Sequence, residues 1–530
     1  MAVPAAASVR DAFRYRPPEV TGLADLLDRQ VRERPYARAL VVTGARVQLS
    51  YRALATLVDD VAVRLGDTGL RRGDAVGLVC ANTAEFVVAL LGAARAGLVA
   101  APLDPALPET QLRARLAALG ARGVLLSTPV PGVAAFPVPA WLLRVEVSRA
   151  GTAAVVLEPG ACAGPHVVGA SGELSERDAL VLFTAGTTDR AKMVPLTHAN
   201  VAASLGNICA TYELGHEDAT VAVMPFFHGH GLFAALLSTL ASGGCVLLPE
   251  RGRFSAGTFW DDMRAVGATW FTAVPAIHEI LLERSERPEQ EYPGVQAPPL
   301  RFVRSCSAPL NTATQRALER TYGAPLLSAY GMTESSHQAT SEPLPQRGAL
   351  RQGSVGRPTG VGVRVVDRGG RSCPAGVEGE VWVQGPTVAR GYLADEDASA
   401  RTFVDGWLRT GDLGTLDEDG YLSLTGRIKN LINRGGEKIS PEHVEDILAG
   451  CPGVAEAAVF AVPDAVYGQR VGAAVVVREG DTVGREEILR YCRDRLAAFE
   501  VPDRLELVAG LPYTAKGGLD RKAVQSRYAP

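Results

Sequence analysis

The run VGLVCA (76–81), EFVVALLGAARAG (85–97) and LVAAPLDP (98–105) limits the fold most strongly. Its outer segments are apolar and of strand length, and the middle one carries apolar residues at helical spacing. Two strands joined by a crossover helix lie parallel, because antiparallel neighbours need only a short turn. The same grammar returns in TVAVMP (220–225), GLFAALLSTLASGG (231–244), CVLLP (245–249) and WFTAVP (270–275), which predicts a second α/β sheet and two similar halves. The proline-rich stretch 286–300 reads as a surface loop. Between about 351 and 425, short strands broken by glycine turns, as in GVGVRVVDRGG and GEVWVQG, predict a β-barrel-like subdomain. After GRIKN (426–430), Ser440 followed by Pro441 and Glu442 forms a helix start, and a compact α+β unit runs to the end. The expected class is α/β: a large N-terminal domain, 1–428, of two α/β sheet subdomains plus the barrel-like one, and a small mobile α+β C-terminal domain, 429–530.

With 530 residues, 47% of them hydrophobic, the chain buries several cores. Its formal net charge of -4 supplies no general positive field for a phosphate backbone, so no nucleic-acid partner is expected. No apolar run approaches the roughly 20 residues of a membrane span, and the start MAVPAAASVRDAFRYRPPEV lacks the basic and apolar regions of a signal peptide. Eight cysteines without a CxxC pair indicate neither a zinc site nor a disulfide framework, and fit a reducing cytoplasm.

The strand VLF (181–183) enters TAGTTDRAK (184–192), a turn whose backbone N–H groups and hydroxyls suit a polyphosphate, with Lys192 as a point charge. Taken alone, this turn reads equally as an ordinary loop. It is followed in order by SCSAPL (305–310), YGMTE (330–334), WLRTGDLG (407–414), GRIKN (426–430) and RGGEKISP (434–441). Of only five lysines against 49 arginines, three, Lys192, Lys429 and Lys438, fall inside these segments, so a chain that writes arginine almost everywhere keeps lysine there.

This series resembles the adenylate-forming superfamily of acyl-CoA synthetases, luciferases and peptide-synthetase adenylation domains, over nearly the whole chain. The resemblance implies that Thr184, Gly186, Thr187, Thr188 and Lys192 hold ATP phosphates. It further implies that Ser307, Ala308, Pro309, Tyr330, Gly331 and Met332 flank adenine, Thr333 touches the α-phosphate and Glu334 holds Mg²⁺. Asp412 would accept from the ribose hydroxyls, Arg427 would contact the nucleotide, and Lys429 would be the hinge between domains. Gly435 and Gly436 would line the CoA tunnel. The stretches MPFFHGHGLFAALLSTLASGGCVLLP and YGMTESSHQATSEPLP look closest to oxalate-CoA ligases. They place Phe227, His228, Leu232 and His337 at the acyl pocket, with His228 as its gate. His337 equally reads as a loop cap, and His228 with His230 as a metal pair lacking a third ligand.

Two departures stand out. The family's C-terminal LPxTxxGKIxR appears as LPYTAKGGLDR (511–521), which puts Gly518 at the catalytic lysine position, two residues from Lys516. The phosphate loop has Asp189, Ala191 and Met193 where the family has glycine, proline and glycine. Both weaken handling of the triphosphate, and neither touches the adenine, ribose or CoA positions. The expected activity is therefore an acyl-CoA ligase that thioesterifies CoA with an acyl-adenylate and uses ATP weakly or not at all. The departure is similar to that of non-adenylating ligases of diterpenoid biosynthesis, which implies a diterpenoid acid as acyl group and a separate adenylating enzyme as partner. Three alternatives stand beside it: a complete ATP-dependent oxalate or small-acid ligase, a noncatalytic adenylate-binding protein, and an NAD-dependent oxidoreductase reading GHGLFA through Gly229, Gly231, Ala234 and Glu250 as a dinucleotide fingerprint.

Overall fold

The structure is a computed structural model and describes residues 20–42, 47–128, 136, 138–147, 152–159, 173–184, 191–286, 297–478, 480–514 and 518–529. Strands Ala75–Val79 and Val99–Leu103 run parallel in register, joined by the helix Ala84–Arg95, whose apolar residues are buried almost all round. That unit seeds a seven-stranded sheet, with Asp178–Phe183 parallel to Val99–Leu103 and Met193–Thr197 antiparallel at the edge. The edge hairpin holds the predicted phosphate loop between its strands. Thr184 N donates to Lys192 O at 3.0 Å, tying the two feet of the loop together.

The expected second α/β sheet divides in two. Strands Ala219–Val221 and Cys245–Leu248 join Arg38–Val42 and Val47–Ser50 in a four-stranded sheet, because Arg38–Val42 pairs parallel with Cys245–Leu248. Trp270–Ala273, Phe302–Ser305 and Leu326–Tyr330 run parallel in a five-stranded sheet continued by Thr340–Ser341 and Arg357–Pro358. Local periodicity reveals strands but not a pairing across two hundred residues, hence the merged expectation.

The segment between these sheets that reads as an ordinary helix opens as a π-helix, His230–Leu237, before continuing as Ser238–Ser242. All eight π-helical residues are buried. Wide turns of this kind concentrate at functional sites, where they re-aim side chains.

The predicted glycine-broken region forms five antiparallel strands. Trp407–Leu416 pairs with Gly379–Gln384 on one edge, and Phe403–Val404 and Leu422–Arg427 share the other. Beyond the turn Ile428–Asn430, strands Ile432–Arg434, Glu437–Ile439, Val454–Asp464, Gly468–Val477 and Arg504–Leu507 form a separate sheet. This sheet has its own core of Ile432, Val444, Val459, Val471 and Ile488. Its first helix, Pro441–Ala449, starts as the sequence predicts, with the Ser440 hydroxyl accepting from His443 N. The same hydroxyl donates to Thr425 O at 2.6 Å, stitching the helix to the preceding sheet. Among the described residues no helix is long and apolar enough to cross a membrane.

Candidate active site

Antiparallel register brings Asp412 and Arg427 opposite each other on neighbouring strands. Asp412 is 2% exposed; its Oδ1 takes Arg427 Nε at 2.6 Å and its Oδ2 takes the Tyr330 hydroxyl at 2.5 Å. Burial, then the Asp412 carboxylate, pushes the Tyr330 phenol well up, so it stays a donor. Each carboxylate oxygen keeps a second lone-pair direction, so the aspartate can still accept from a diol.

Tyr330 ends its strand, and the chain then turns tightly through Gly331. A Cβ at Gly331 would sit 1.5 Å from the His337 carbonyl oxygen, so only glycine lets the two backbone segments touch. Glu334 follows in a short 3₁₀ turn and is buried, with Oε1 accepting from the Tyr392 hydroxyl at 2.7 Å. Desolvation raises its carboxyl above the usual range, against the Tyr392 hydrogen bond and the charges of Lys192 and Arg427. The Lys192 ammonium lies over the Tyr392 ring, 4.3 Å from its centroid. Desolvation in the cleft, then Arg427, holds the Lys429 ammonium below its ordinary value, against the pull of Asp412 and Glu334. Residues from three sheets and the interdomain turn thus share one electrostatic neighbourhood.

A second set of side chains lies alongside. Arg304, on Phe302–Ser305, is fully buried and donates to Tyr212 Oη at 2.8 Å, Thr272 Oγ1 at 3.1 Å, His337 Nε2 at 3.2 Å and Gln338 Oε1 at 3.1 Å. Among the described residues no carboxylate pairs with it. His230 contacts Thr272 Oγ1 at 2.6 Å and Ser307 Oγ at 3.1 Å, and its ring stacks on His337 at 5.2 Å. Ser307, Ser336 and His337 hold φ of 76°, 52° and 81°, a left-handed backbone that non-glycine residues adopt at a cost. Three such residues around one cluster mark a strained, over-determined site.

On the C-terminal side, Gly435 and Gly436 form the tip of the hairpin Ile432–Arg434 and Glu437–Ile439, with φ of 61° and 104°. Among the described residues, a Cβ at Gly436 would meet nothing within 4 Å. The segment bearing Gly518 folds back on itself: Thr514 N donates to Gly518 O at 2.8 Å and Asp520 N to Pro512 O at 2.9 Å. Among the described residues, a Cβ at Gly518 would find only Thr514 Oγ1, at 3.8 Å.

Comparison with known proteins agrees. The description "AMP-binding enzyme" matches residues 27–393, and "AMP-binding enzyme C-terminal domain" matches 443–517. The chain belongs to the AMP-binding enzyme family. It is 43% identical over 517 residues to an oxalate–CoA ligase of Arabidopsis thaliana, covering 96% of this chain and 98% of that one. It is 42% identical over 514 residues to the probable CoA ligase CCL9 of Humulus lupulus, covering 96% of each. The crystal structure of ATP-bound MatB from Rhodopseudomonas palustris superposes with a TM-score of 0.82 at 29% identity, covering 96% of this chain and 99% of that one. The protein is an acyl-CoA ligase type of AMP-binding enzyme, and the family uses ATP or AMP with CoA and a carboxylic acid.

Within this AMP-binding enzyme, Tyr330, Glu334, Asp412, Arg427, Lys192 and Lys429 lie in one neighbourhood, and Gly331, Met332 and Thr333 are on the turn between Tyr330 and Glu334. Gly186, Thr187, Thr188, Asp189, Arg190 and Lys516 lie outside the described residues. Ser307, Ala308 and Pro309 lie on the bend after Phe302–Ser305, Ser307 and Pro309 exposed. Phe227 and His228 are half-buried before the π-helix, whereas Leu232 is wholly committed to the main core. His230 spends both ring nitrogens on hydroxyls, which removes the metal-pair reading. The buried π-helix offers no exposed first turn for a pyrophosphate, so the dinucleotide reading of Gly229, Gly231, Ala234 and Glu250 falls too.

Arg304, Thr272, Tyr212, Gln338 and Tyr392 were not picked out from sequence. One signal was present for Arg304: in FVRS it shares a strand face with Phe302, an inward charge in a buried strand. Glu334 suits Mg²⁺ as a single ligand for an ion carried in on phosphates, since among the described residues no group of three metal-binding side chains exists. There Mg²⁺ would neutralise phosphate charge.

Proposed function

We propose that the protein thioesterifies CoA with an acyl-adenylate and performs adenylation slowly or not at all. Gly518 carries this reading: the ribose side keeps its anionic anchor, while the C-terminal loop offers no ammonium at the position where the family places one. An absent preorganised cation costs about 3 to 4 kcal/mol, or 10² to 10³ in rate, at a step where charge develops. Attack of the CoA thiol on the adenylate does not need it.

In this reading Asp412 and Arg427 bind the ribose and phosphate, and Ser307, Ala308, Pro309, Tyr330, Gly331 and Met332 flank adenine. Thr333 contacts the α-phosphate and Glu334 holds Mg²⁺. The large domain, 1–428, pivots against 429–530 at Lys429, which brings Gly435 and Gly436 to the path of the pantetheine arm. His228 stands between that path and the acyl pocket with Phe227 and His337. A separate cytoplasmic enzyme supplies the adenylate. The polar surroundings of His337 and Arg304 favour an acid carrying an acceptor oxygen or second anion; a diterpenoid acid fits where an oxygen of its skeleton reaches these groups, since bare hydrocarbon would leave polar groups without partners.

A second reading, a complete ATP-dependent ligase for oxalate or another small acid, draws on the named activity of the Arabidopsis relative and on the two lysines retained in the cleft. One paired assay separates them. Protein is incubated with a panel of acids, ATP, Mg²⁺ and CoA, and separately with synthetic acyl-AMP and CoA, and acyl-CoA is quantified in both. Thioester from acyl-AMP alone is the expected result; comparable rates from acid plus ATP establish the complete ligase instead.

A further inference from the structure

We infer that Arg304 is a positioning residue that sets the proton direction of the acyl-side hydrogen-bond network, so that this side of the site presents donors and selects acyl groups bearing an acceptor oxygen or anion beside the activated carboxyl. The inference rests on the adenylate-binding reading for where the acyl group lies; the network itself rests on geometry alone.

A guanidinium only donates. Its Nη1 donates to Thr272 Oγ1 at 3.1 Å, and the other neighbour of that oxygen is His230 Nε2 at 2.6 Å. Thr272 is 1% exposed, so its hydroxyl proton goes to His230 Nε2. With Nε2 accepting, the proton of neutral His230 sits on Nδ1 and is donated to Ser307 Oγ at 3.1 Å. Ser307 therefore keeps its own hydroxyl proton for the exposed cleft. The second branch runs from Arg304 Nη2 to His337 Nε2 at 3.2 Å, which fixes the His337 proton on Nδ1, the edge facing Gly229. Separately, His230 N donates to His228 Nδ1 at 3.3 Å, which places the His228 proton on Nε2.

Burial, with positive neighbours, holds the His230 and His337 rings well below their ordinary values, so both stay neutral and the tautomers have meaning. One buried cation thus turns Ser307 and His337 into donors. A carboxylate, sulfonate or keto oxygen satisfies such a lining. An alkyl group leaves donors desolvated and unpaired, and an ammonium meets groups of its own polarity.

Two measurements on the full chain test this. Histidine-selective ¹⁵N spectra should show Nδ1–H tautomers for His230 and His337 and Nε2–H for His228. In Thr272→Val, a near-isosteric change that cuts the first branch, the His230 signature should change while that of His337 does not; Thr272→Ser should restore it. Calorimetry with nonhydrolysable malonyl- and 3-methylbutanoyl-sulfamoyl adenosine should show the malonyl analogue binding at least about tenfold tighter, a preference that Thr272→Val reduces and Thr272→Ser recovers. An Nε2–H tautomer at His230, or equal binding of the two analogues, overturns the inference and leaves the ligase reading standing. Failure of both analogues to bind removes the adenylate reading and, with it, the acyl selectivity.

Discussion

At the ribose side of the cleft, Asp412 is held by a phenol from the Leu326–Tyr330 strand and a guanidinium from the facing strand, so its position is fixed before any ligand arrives. In the C-terminal hairpin around Gly518, the loop is closed by backbone hydrogen bonds and carries no charged side chain at that position. The first region is held in place by its own side-chain partners; at Gly518 the second has backbone hydrogen bonds on either side and no side chain. Under the proposed function, the contrast means that the two half-reactions draw on separable parts of the molecule, so that one can weaken while the other stays.

The largest expected effect strikes the maintained side. Asp412→Ala strips a charged acceptor from the diol and leaves the Tyr330 hydroxyl and Arg427 without their partner. With about 1.5 to 3 kcal/mol for each charged hydrogen bond, binding of an acyl-AMP analogue should weaken by roughly 10² or more. Calorimetry beside a melting curve decides the matter: a lower Tm with unchanged affinity of the folded protein would mean that Asp412 serves only the strand pair.

Gly518→Lys approaches the contrast from the C-terminal side. Among the described residues a Cβ at Gly518 meets only Thr514 Oγ1, at 3.8 Å, and Gly518 is not among the left-handed glycines, so a lysine there brings no left-handed backbone strain. Acid-dependent exchange of pyrophosphate into ATP should rise by about tenfold or more, short of the full 10² to 10³ because Asp189 remains in the phosphate loop. If the unchanged protein already exchanges at the rate of Gly518→Lys, the two regions do not differ as argued.

What the sequence revealed follows the range of the interactions concerned. The unit 75–103 was legible because its strand and helix periods are local, and the helix at Pro441 because Ser440 and Pro441 announce it within three residues. The division of the second sheet was not, since the partner of Cys245–Leu248 lies two hundred residues upstream. Nor was the π-helix, whose apolar run reads like any buried helix. At the site, Asp412 and Arg427 were legible as types, but their mutual ion pair depends on a register shift between Leu413 and Gly414. Tyr392 sits far from Glu334 in sequence and gives no sign of reaching its carboxylate.

The CoA face sharpens the comparison further. Because Gly436 has φ of 104°, every L-residue is strained there, so Gly436→Leu alone cannot separate a blocked path from a bent hairpin. Gly436→Ala carries the same backbone strain with little bulk. Thioester formation from supplied acyl-AMP should fall about tenfold further in Gly436→Leu than in Gly436→Ala, with acyl-AMP affinity equal in the two. Equal turnover in both variants would remove Gly436 from the pantetheine path.

The smallest effect concerns Glu334, which lies near Arg427 and Lys192. Its carboxyl is raised by burial and lowered again by the Tyr392 hydroxyl, so Tyr392→Phe should raise it further while the phenyl ring still lies under Lys192. The sign follows directly: a higher carboxyl value means that the ionised form, the one that attracts Mg²⁺, is lost earlier as pH falls. In the Gly518→Lys background, half-saturating Mg²⁺ for pyrophosphate exchange should therefore be higher in Tyr392→Phe by a few-fold, about the worth of one hydrogen bond to a carboxylate. The difference should widen toward acid pH and vanish where Glu334 is ionised in both proteins. A few-fold difference that stays constant with pH would show that Tyr392 merely positions the Glu334 side chain, and the electrostatic account of this carboxylate would be wrong.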